Sequence, residues 1–211
     1  MIIGLTGGPG TGKSLVAKYL KERGATIISA DDVGKRVVNE NPAVFRKLVQ
    51  EFGKSIVRDD GALDRRKLGN IVFPDPKSLR KLSQIVHPPL LRILKSELKR
   101  LKNSHRHKLI VIDAALIFEW GIANWCDYIV TVTARRYIRL KRLRRQGLTH
   151  RQAENRISAQ IPDRDKVKLA DYIIQNNGAR AALRHQVGRF LEILGARGPA
   201  RRAGAGHGAG R

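Results

Sequence analysis

Short apolar segments alternate along the chain with longer segments of helical periodicity. The first apolar segment, residues 2–6, is partly β-branched and runs into a glycine turn, which is typical of a buried strand. Because such strands alternate with helices, the pattern predicts an α/β fold with a five-stranded parallel sheet that is covered on both faces. The other predicted strands cover residues 25–29, 109–113, 128–133 and 172–174.

Helical spacing, glycines and prolines predict where the intervening helices begin and end. A helix is predicted over residues 13–23, with Gly24 after it as a C-terminal cap. A turn is predicted at residues 59–61 and a further helix after Asp64. The helical pattern on either side of residues 87–89, His-Pro-Pro, predicts two helices that meet at a bend, because proline interrupts a helix.

The two ends of the chain have distinct compositions. The apolar run at residues 1–6 is short and lacks a basic leader, so no export signal is expected. Residues 183–194 carry the apolar stripe of a closing helix, whereas residues 196–211 are dominated by Gly, Ala and Arg. Since nothing in that segment can offset the entropy of ordering, we predict one domain over residues 1–195 and a disordered tail over residues 196–211.

The chain is strongly basic, with 42 Lys and Arg against 18 Asp and Glu and a formal net charge of +24. Charge of this size attracts nucleic acid, anionic lipid and polyphosphate substrates without selecting among them. The single cysteine, Cys126, excludes an intramolecular disulfide, fits a reducing compartment and is predicted to be a buried apolar residue. No apolar run approaches the roughly 20 residues of a membrane helix. We expect a soluble, cytoplasmic monomer that does not bind membranes.

Residues 7–14 read Gly-Gly-Pro-Gly-Thr-Gly-Lys-Ser and fit the phosphate-loop pattern G-x-x-x-x-G-K-[ST]. The glycines let main-chain N–H groups surround phosphate oxygens, and the following helix adds its positive end. Lys13 is expected to reach the β- and γ-phosphates, and Ser14 to bind Mg²⁺. The pattern predicts an ATP-dependent kinase, in which Leu15 also faces the core. The loop residues predicted to contact ATP are Gly8, Gly10, Thr11, Gly12, Lys13, Ser14 and Leu15.

Carboxylates stand at the ends of two predicted strands, where ligands bind in sheets of this kind. Asp113 could orient Mg²⁺ through water or cap a helix. Asp31 or Asp32 could accept the proton of an acceptor hydroxyl, with helix capping as the alternative. Seven cations also crowd residues 135–145. Beside a phosphate loop, part of this cluster predicts a lid that neutralises charge on the transferred phosphoryl group, although a solvated helix face is the ordinary interpretation.

A set of motifs in matching order and spacing resembles the dephospho-coenzyme A kinases over residues 2–178. The resemblance implies a three-layer P-loop kinase core (residues 1–32, 106–134 and 166–195), a helical coenzyme-binding insert (33–105) and a helical lid (135–165). The motifs are Ile3-Gly4-Leu5-Thr6-Gly7-Gly8, Ala30-Asp31, Leu63-Asp64-Arg65-Arg66, His87-Pro88, Asp113 with Leu116 to Glu119, Gly147-Leu148-Thr149, Arg156-Ile157 with Gln160, and Ala170-Asp171-Tyr172 with Asn176 and Gly178.

The resemblance also implies a reaction: ATP, with Mg²⁺, phosphorylates the ribose 3′-hydroxyl of dephospho-coenzyme A in the last step of coenzyme A synthesis. It assigns the base to Asp31, leaves helix capping to Asp32, and places Asn176 near adenine and Arg142 or Arg145 near the phosphates. Catalytic roles are implied for Asp31, Lys13 and Arg142, and metal binding for Ser14 and Asp113. Acceptor contacts are implied for Thr6, Asp31, Lys35, Arg66, His87 and Leu116.

Four positions depart from the family pattern: Ser29 replaces a carboxylate, Lys35 an arginine, Leu15 a threonine and Ala115 a proline. Lysine cannot make the bidentate phosphate contact of arginine, so the change at position 35 bears on acceptor affinity. Two other functions remain open. One is a kinase for a nucleoside monophosphate or another small hydroxyl compound, and the other is a basic nucleic-acid-binding nucleotide switch. Against the switch, no guanine-recognition motif is present and only 5% of residues are aromatic, so no specific nucleic acid partner is expected.

Overall fold

Five parallel strands form one sheet, in the order β2-β3-β1-β4-β5. This is seen in a computed structural model, which describes residues 1–197. The predicted fold is confirmed, and each strand lies within one residue of its predicted bounds. The strands are β1 (Ile2–Thr6), β2 (Thr26–Ser29), β3 (Ile110–Asp113), β4 (Tyr128–Thr133) and β5 (Tyr172–Gln175).

Helices fill the crossovers between the strands. Four of them, α2 to α5, follow β2 and precede β3, and three more, α6 to α8, lie between β4 and β5. The helices are α1 (Lys13–Glu22), α2 (Ala30–Glu40), α3 (Pro42–Phe52), α4 (Arg65–Val72), α5 (Pro76–Asn103), α6 (Arg136–Arg145), α7 (His150–Ser158), α8 (Asp163–Leu169) and α9 (Arg180–Arg197).

The hydrophobic core lies on both faces of the sheet, because successive strand residues point to opposite sides. On β1, Ile2 packs into a cluster formed with α2 to α5, whereas Ile3 and Leu5 pack with α1 and α9. Cys126 is buried in the first cluster, as predicted. The sheet is therefore the middle layer of three.

Helix α5 corrects the prediction of two separate helices on either side of residues 87–89. It runs without interruption from Pro76 to Asn103, with Pro88 and Pro89 inside it. Each proline removes one main-chain donor from the helix. Both halves nevertheless pack against one cluster, Val86 from one side of the prolines and Leu90 from the other. Tertiary packing therefore holds the two halves in a single helix.

The predicted ends of other elements agree with the structure. Arg23 caps α1 and is followed by Gly24 at φ +89°, and the Asp64 side chain accepts the main-chain N–H groups of the first turn of α4.

Helix α9 includes Ala196 and Arg197, so the predicted start of the tail was wrong by two residues. The rest of that predicted tail lies outside the described residues. Among residues 1–197, no helix is both long and apolar enough to cross a bilayer.

Candidate active site

The carboxyl ends of β1, β2 and β3 bring three predicted site features to one edge of the sheet. Asp113, the last residue of β3, pairs in register with Leu5 of β1 on one side and with Ser29 of β2 on the other. The phosphate loop begins two residues after Leu5, and Asp31 stands two residues after Ser29. Parallel strands therefore place the loop and the two carboxylates in one crevice, as expected for such sheets.

The phosphate loop joins β1 to α1 through main-chain conformations that favour glycine. Gly10 has φ +76° and Gly12 has φ +90°. The Thr11 hydroxyl donates to the Gly8 carbonyl at 2.8 Å, which closes the loop on itself. Helix α1 begins at Lys13, with Gly12 as its N-cap. The free N–H groups and positive end of α1 therefore face the loop, which suits a bound polyphosphate.

We expect Gly12→Ala to destabilise the fold and weaken nucleotide binding. An added Cβ would overlap the side-chain amide of Asn176 and would occupy a left-handed conformation, costing about 1–3 kcal/mol in backbone strain alone. Gly24→Ala is the matched control, since Gly24 has φ +89° and open space around its Cα. Urea unfolding should show the larger loss of free energy for Gly12→Ala. Equal losses would contradict the tight fit against Asn176.

Lys13 and Asp113 form a buried ion pair at the floor of the crevice. Burial raises the pKa of the Asp113 carboxyl, while Lys13 opposes that shift and the charges of Asp31 and Asp32 add to it. The ammonium predicted to hold the phosphates therefore lies beside the carboxylate predicted to orient Mg²⁺. The Lys13 ammonium and the Asp113 carboxylate therefore lie side by side at the end of the phosphate loop.

A magnesium ion fits the oxygen donors at this edge of the sheet. Ser14 is exposed at the start of α1, and the Asp113 carboxylate belongs to the neighbouring strand. Among the described residues, no group of three or more His, Cys, Asp or Glu side chains could hold a metal by itself. Mg²⁺ suits such a sparse donor set, because it keeps several waters and takes phosphate oxygens as ligands.

Arg139 of α6 braces the phosphate loop from outside. Its side chain is buried; Nε donates to the Pro9 carbonyl at 2.8 Å, and Nη1 pairs with Asp163 of α8 at 2.6 Å. Its main chain also lies against the loop, because a Cβ on Gly10 would come within 2.8 Å of the Arg139 carbonyl oxygen. Sequence reasoning placed Arg139 only in a cluster of seven cations. Asp163, the first residue of α8, carried no signal in the sequence.

Arg142, predicted to be catalytic, binds main-chain carbonyl groups. Its Nη1 donates to Gly10 and Thr11, both at 3.1 Å, and its Nη2 donates to Asn176 at 3.0 Å. Asn176, predicted to lie near adenine, donates its side-chain amide to the Thr11 carbonyl at 2.7 Å. Arg142 and Asn176 thus hold the loop together. Arg145 instead lines a shallow depression with exposed residues of α6.

A cavity of about 520 Å³ opens beside the crevice, between α2, α4 and α5. Four of the six predicted acceptor residues line it: Asp31, Lys35, His87 and Leu116. The other two lie elsewhere. Thr6 is buried and donates its hydroxyl to the Ala115 carbonyl at 3.0 Å. Arg66 is exposed, and the preceding residue, Arg65, lines the cavity in its place.

The first turn of α2 shows what the serine at position 29 does. The Ser29 hydroxyl is the N-cap and accepts the Asp32 main-chain N–H at 3.1 Å. The capping role predicted for Asp32 was therefore wrong, because its carboxylate instead pairs with Lys35 at 2.7 Å. Asp31 lies in the same turn, is exposed and lines the cavity. Its carboxylate is accessible to a ligand there.

Two arginines give the cavity an anion-binding character that the sequence analysis did not assign. Burial lowers the pKa of both Arg65 and Arg156, and neither forms an ion pair with a carboxylate of residues 1–197. Arg65 comes from α4, whereas Arg156 comes from α7 and stacks over Phe73 at 5.1 Å. Guanidinium groups on two walls suit a phosphate-containing ligand.

An aromatic pair completes the cavity wall. The Trp120 indole N–H donates to Nε2 of His87 at 2.9 Å, with the rings in an edge-to-face arrangement. Burial lowers the pKa of His87, in agreement with a neutral imidazole that accepts this hydrogen bond. Sequence reasoning identified His87 as either a structural or an acceptor residue, and the geometry allows both. Trp120 was missed, although it directly follows the motif of residues 116–119.

Comparison with known proteins supplies a family for this arrangement. A family model described as dephospho-CoA kinase matches residues 1–182. The dephospho-CoA kinases of Geobacillus kaustophilus and Anaeromyxobacter dehalogenans are 39% and 38% identical to this chain, covering 91% and 93% of it and 96% and 94% of their own lengths. A solved Thermus thermophilus structure is 32% identical with a TM-score of 0.73, covering 92% of this chain and 97% of its own.

Proposed function

The chain belongs to the dephospho-CoA kinase family, and we propose that it transfers the γ-phosphoryl group of ATP to the ribose 3′-hydroxyl of dephospho-coenzyme A. The acceptor oxygen forms a bond to the γ-phosphorus as the bond to the β–γ bridging oxygen breaks. The hydroxyl proton passes to a carboxylate, and ADP and coenzyme A are released. This is the last step of coenzyme A synthesis.

On the donor side, the loop amides and Lys13 would bind the triphosphate. Ser14 and Asp113 would hold Mg²⁺ with it, and the ion supplies positive charge to the phosphate oxygens during transfer. Movement of Lys13 between Asp113 and a phosphate needs only a rotation of its flexible side chain. Three further side chains act indirectly, because they hydrogen-bond to the main chain of the loop and fix it: Arg139, Arg142 and Asn176.

On the acceptor side, Asp31 would accept the proton of the 3′-hydroxyl. Arg65, Arg156 and Lys35 would neutralise the acceptor diphosphate, since all three line the cavity. Lys35 pairs with Asp32 at 2.7 Å, and its ammonium group acts as a point charge rather than as a bidentate ligand. Two arginines therefore remain to bind the acceptor phosphates beside the lysine at position 35.

One observation carries this assignment. Asp31 borders a basic cavity and follows β2, while the phosphate loop follows β1, and only β3 separates these two strands. Donor and acceptor sites therefore meet at one edge of the sheet, across Asp113. Such proximity is what in-line transfer between two bound molecules requires.

We expect dephospho-coenzyme A to be preferred over nucleoside monophosphates by a factor of about 100 or more in kcat/KM. Uridylate and cytidylate are the comparison acceptors, because they have no pantetheine diphosphate to reach the arginines. A coupled assay of ADP release at saturating ATP measures all three. Should uridylate or cytidylate serve equally well, the chain is a kinase of different acceptor specificity.

A further inference from the structure

Lys166 is a lysine with no exposed surface, located in α8 behind the crevice. Burial lowers the pKa of its ammonium group, and Glu119 opposes that shift. A buried ammonium group is costly unless its donors are satisfied. Since it is fully buried, Lys166 cannot touch either substrate. Lys166 must therefore act through the groups to which its ammonium is bonded.

The Lys166 ammonium holds the turn that follows β3. Its Nζ donates to the Ala115 carbonyl at 2.7 Å and to Gln160 Oε1 at 2.8 Å, and it lies 3.6 Å from the Glu119 carboxylate. The same Ala115 carbonyl accepts the Thr6 hydroxyl at 3.0 Å. One carbonyl group thus joins the end of β1, the turn after Asp113, and α8.

Helix α8 also holds the phosphate loop. Asp163, one turn before Lys166, pairs with Arg139 at 2.6 Å, and Arg139 donates to the Pro9 carbonyl at 2.8 Å. The same short helix is therefore linked to the phosphate loop through the Asp163–Arg139 pair and to the turn after β3 through Lys166. That turn continues into Leu116 and Trp120, which line the acceptor cavity.

We propose that Lys166 is a positioning residue for the acceptor, which acts through the Ala115 carbonyl by holding the cavity wall at Leu116 and Trp120 in register with the phosphate loop. This inference rests on the proposed function. A displacement of about 1 Å between reacting groups can cost about 100-fold in rate. The Thr6 hydroxyl and the pairing of β3 with β1 still hold the start of this turn beside the phosphate loop. Loss of the ammonium should therefore displace the cavity wall at Leu116 and Trp120 and leave ATP binding intact.

The test replaces Lys166 with methionine, which keeps the length of the side chain without its charge. We expect kcat/KM for dephospho-coenzyme A to fall about 100-fold, while the Kd of Mg-ATP changes less than about threefold. Lys168→Met is the matched control, because Lys168 is an exposed lysine of the same helix. It should retain the kinetics of the parent enzyme.

A double variant, Lys166→Met with Glu119→Gln, separates positioning from folding. The Glu119→Gln change removes the carboxylate that Lys166→Met leaves without its cation. The thermal stability of the double variant should therefore be higher than that of the single variant. Acceptor kcat/KM should stay low, because the hydrogen bond from Lys166 to the Ala115 carbonyl is still missing. Recovery of kcat/KM together with stability in the double variant overturns the inference. So does a Lys166→Met variant whose kcat/KM lies within threefold of that of Lys168→Met. An ATP affinity that falls as much as kcat/KM does also overturns it. A parent enzyme inactive on dephospho-coenzyme A overturns the proposed function, and the inference falls with it.

Discussion

Replacing Asp31 with asparagine is expected to lower kcat by about 10²- to 10⁴-fold, because an amide cannot take the proton of the acceptor hydroxyl. The substitution keeps the size of the side chain, and Asp31 is exposed at the start of α2. The fold and the Kd of Mg-ATP should therefore stay close to those of the parent. Turnover of dephospho-coenzyme A, measured beside ATP binding, separates the two effects.

Asp32→Asn is the control for this prediction. Asp32 lies in the same helical turn and has the same charge, but its carboxylate pairs with Lys35. We expect its kcat to stay within about threefold of the parent value. If the two variants lose activity equally, the carboxylates act through local charge, and Asp31 is not the base.

Replacing Lys13 with alanine is expected to lower kcat/KM by at least about 10²- to 10³-fold, the loss seen when a preorganised donor to developing negative charge is removed. Affinity for Mg-ATP should fall with it, because the ammonium contacts the phosphates before and during transfer. Burial already raises the pKa of Asp113, so this carboxyl can take up a proton once its partner is gone. The variant should therefore remain folded.

Thermal unfolding with and without Mg-ATP checks the Lys13 prediction independently of turnover. The parent should be stabilised by the nucleotide, since a ligand that binds only the folded state raises its stability. Lys13→Ala should show little such increase. Lys18→Ala, an exposed position on the same helix, should behave like the parent. Parental turnover in Lys13→Ala would rule out the phosphate-binding role of the loop.

Local patterns were sufficient to predict the sheet and the phosphate loop. The strands are short and apolar, and Gly10 and Gly12 of the phosphate loop occupy conformations that other residues avoid, so both features are encoded within a few residues. The acceptor side needed the family resemblance. It led to Asp31, Lys35, His87 and Leu116, which share one cavity, although their roles stay predictions.

Three misses arose where packing, a single hydrogen bond or one helical position decides between local alternatives. The prolines of α5 signal a break, yet residues on both sides of them pack into one cluster. At the start of α2, Ser29 and Asp32 are both good capping residues, and only the structure shows that the serine hydroxyl accepts the hydrogen bond. Arg65 and Arg66 are neighbours on α4, and the motif alone could not show which of the two lines the cavity.

The residues that join the two halves of the site could not be predicted from local patterns. Arg139 reaches the loop from 130 positions away, and Lys166 reaches Ala115 from 51 positions away. In the sequence, each is one cation among 42. Their buried contacts become visible only when α6 and α8 are placed against the sheet.

Every step of the proposed reaction depends on the loop between β1 and α1, which we propose binds the triphosphate of ATP together with magnesium. Calorimetric titration of ATP into the intact chain, first in magnesium and then in EDTA, tests it directly. We predict saturable binding in magnesium with a Kd between about 1 μM and 1 mM, and at least about tenfold weaker binding in EDTA. A chain that shows no saturable, magnesium-dependent binding of ATP would contradict the claim.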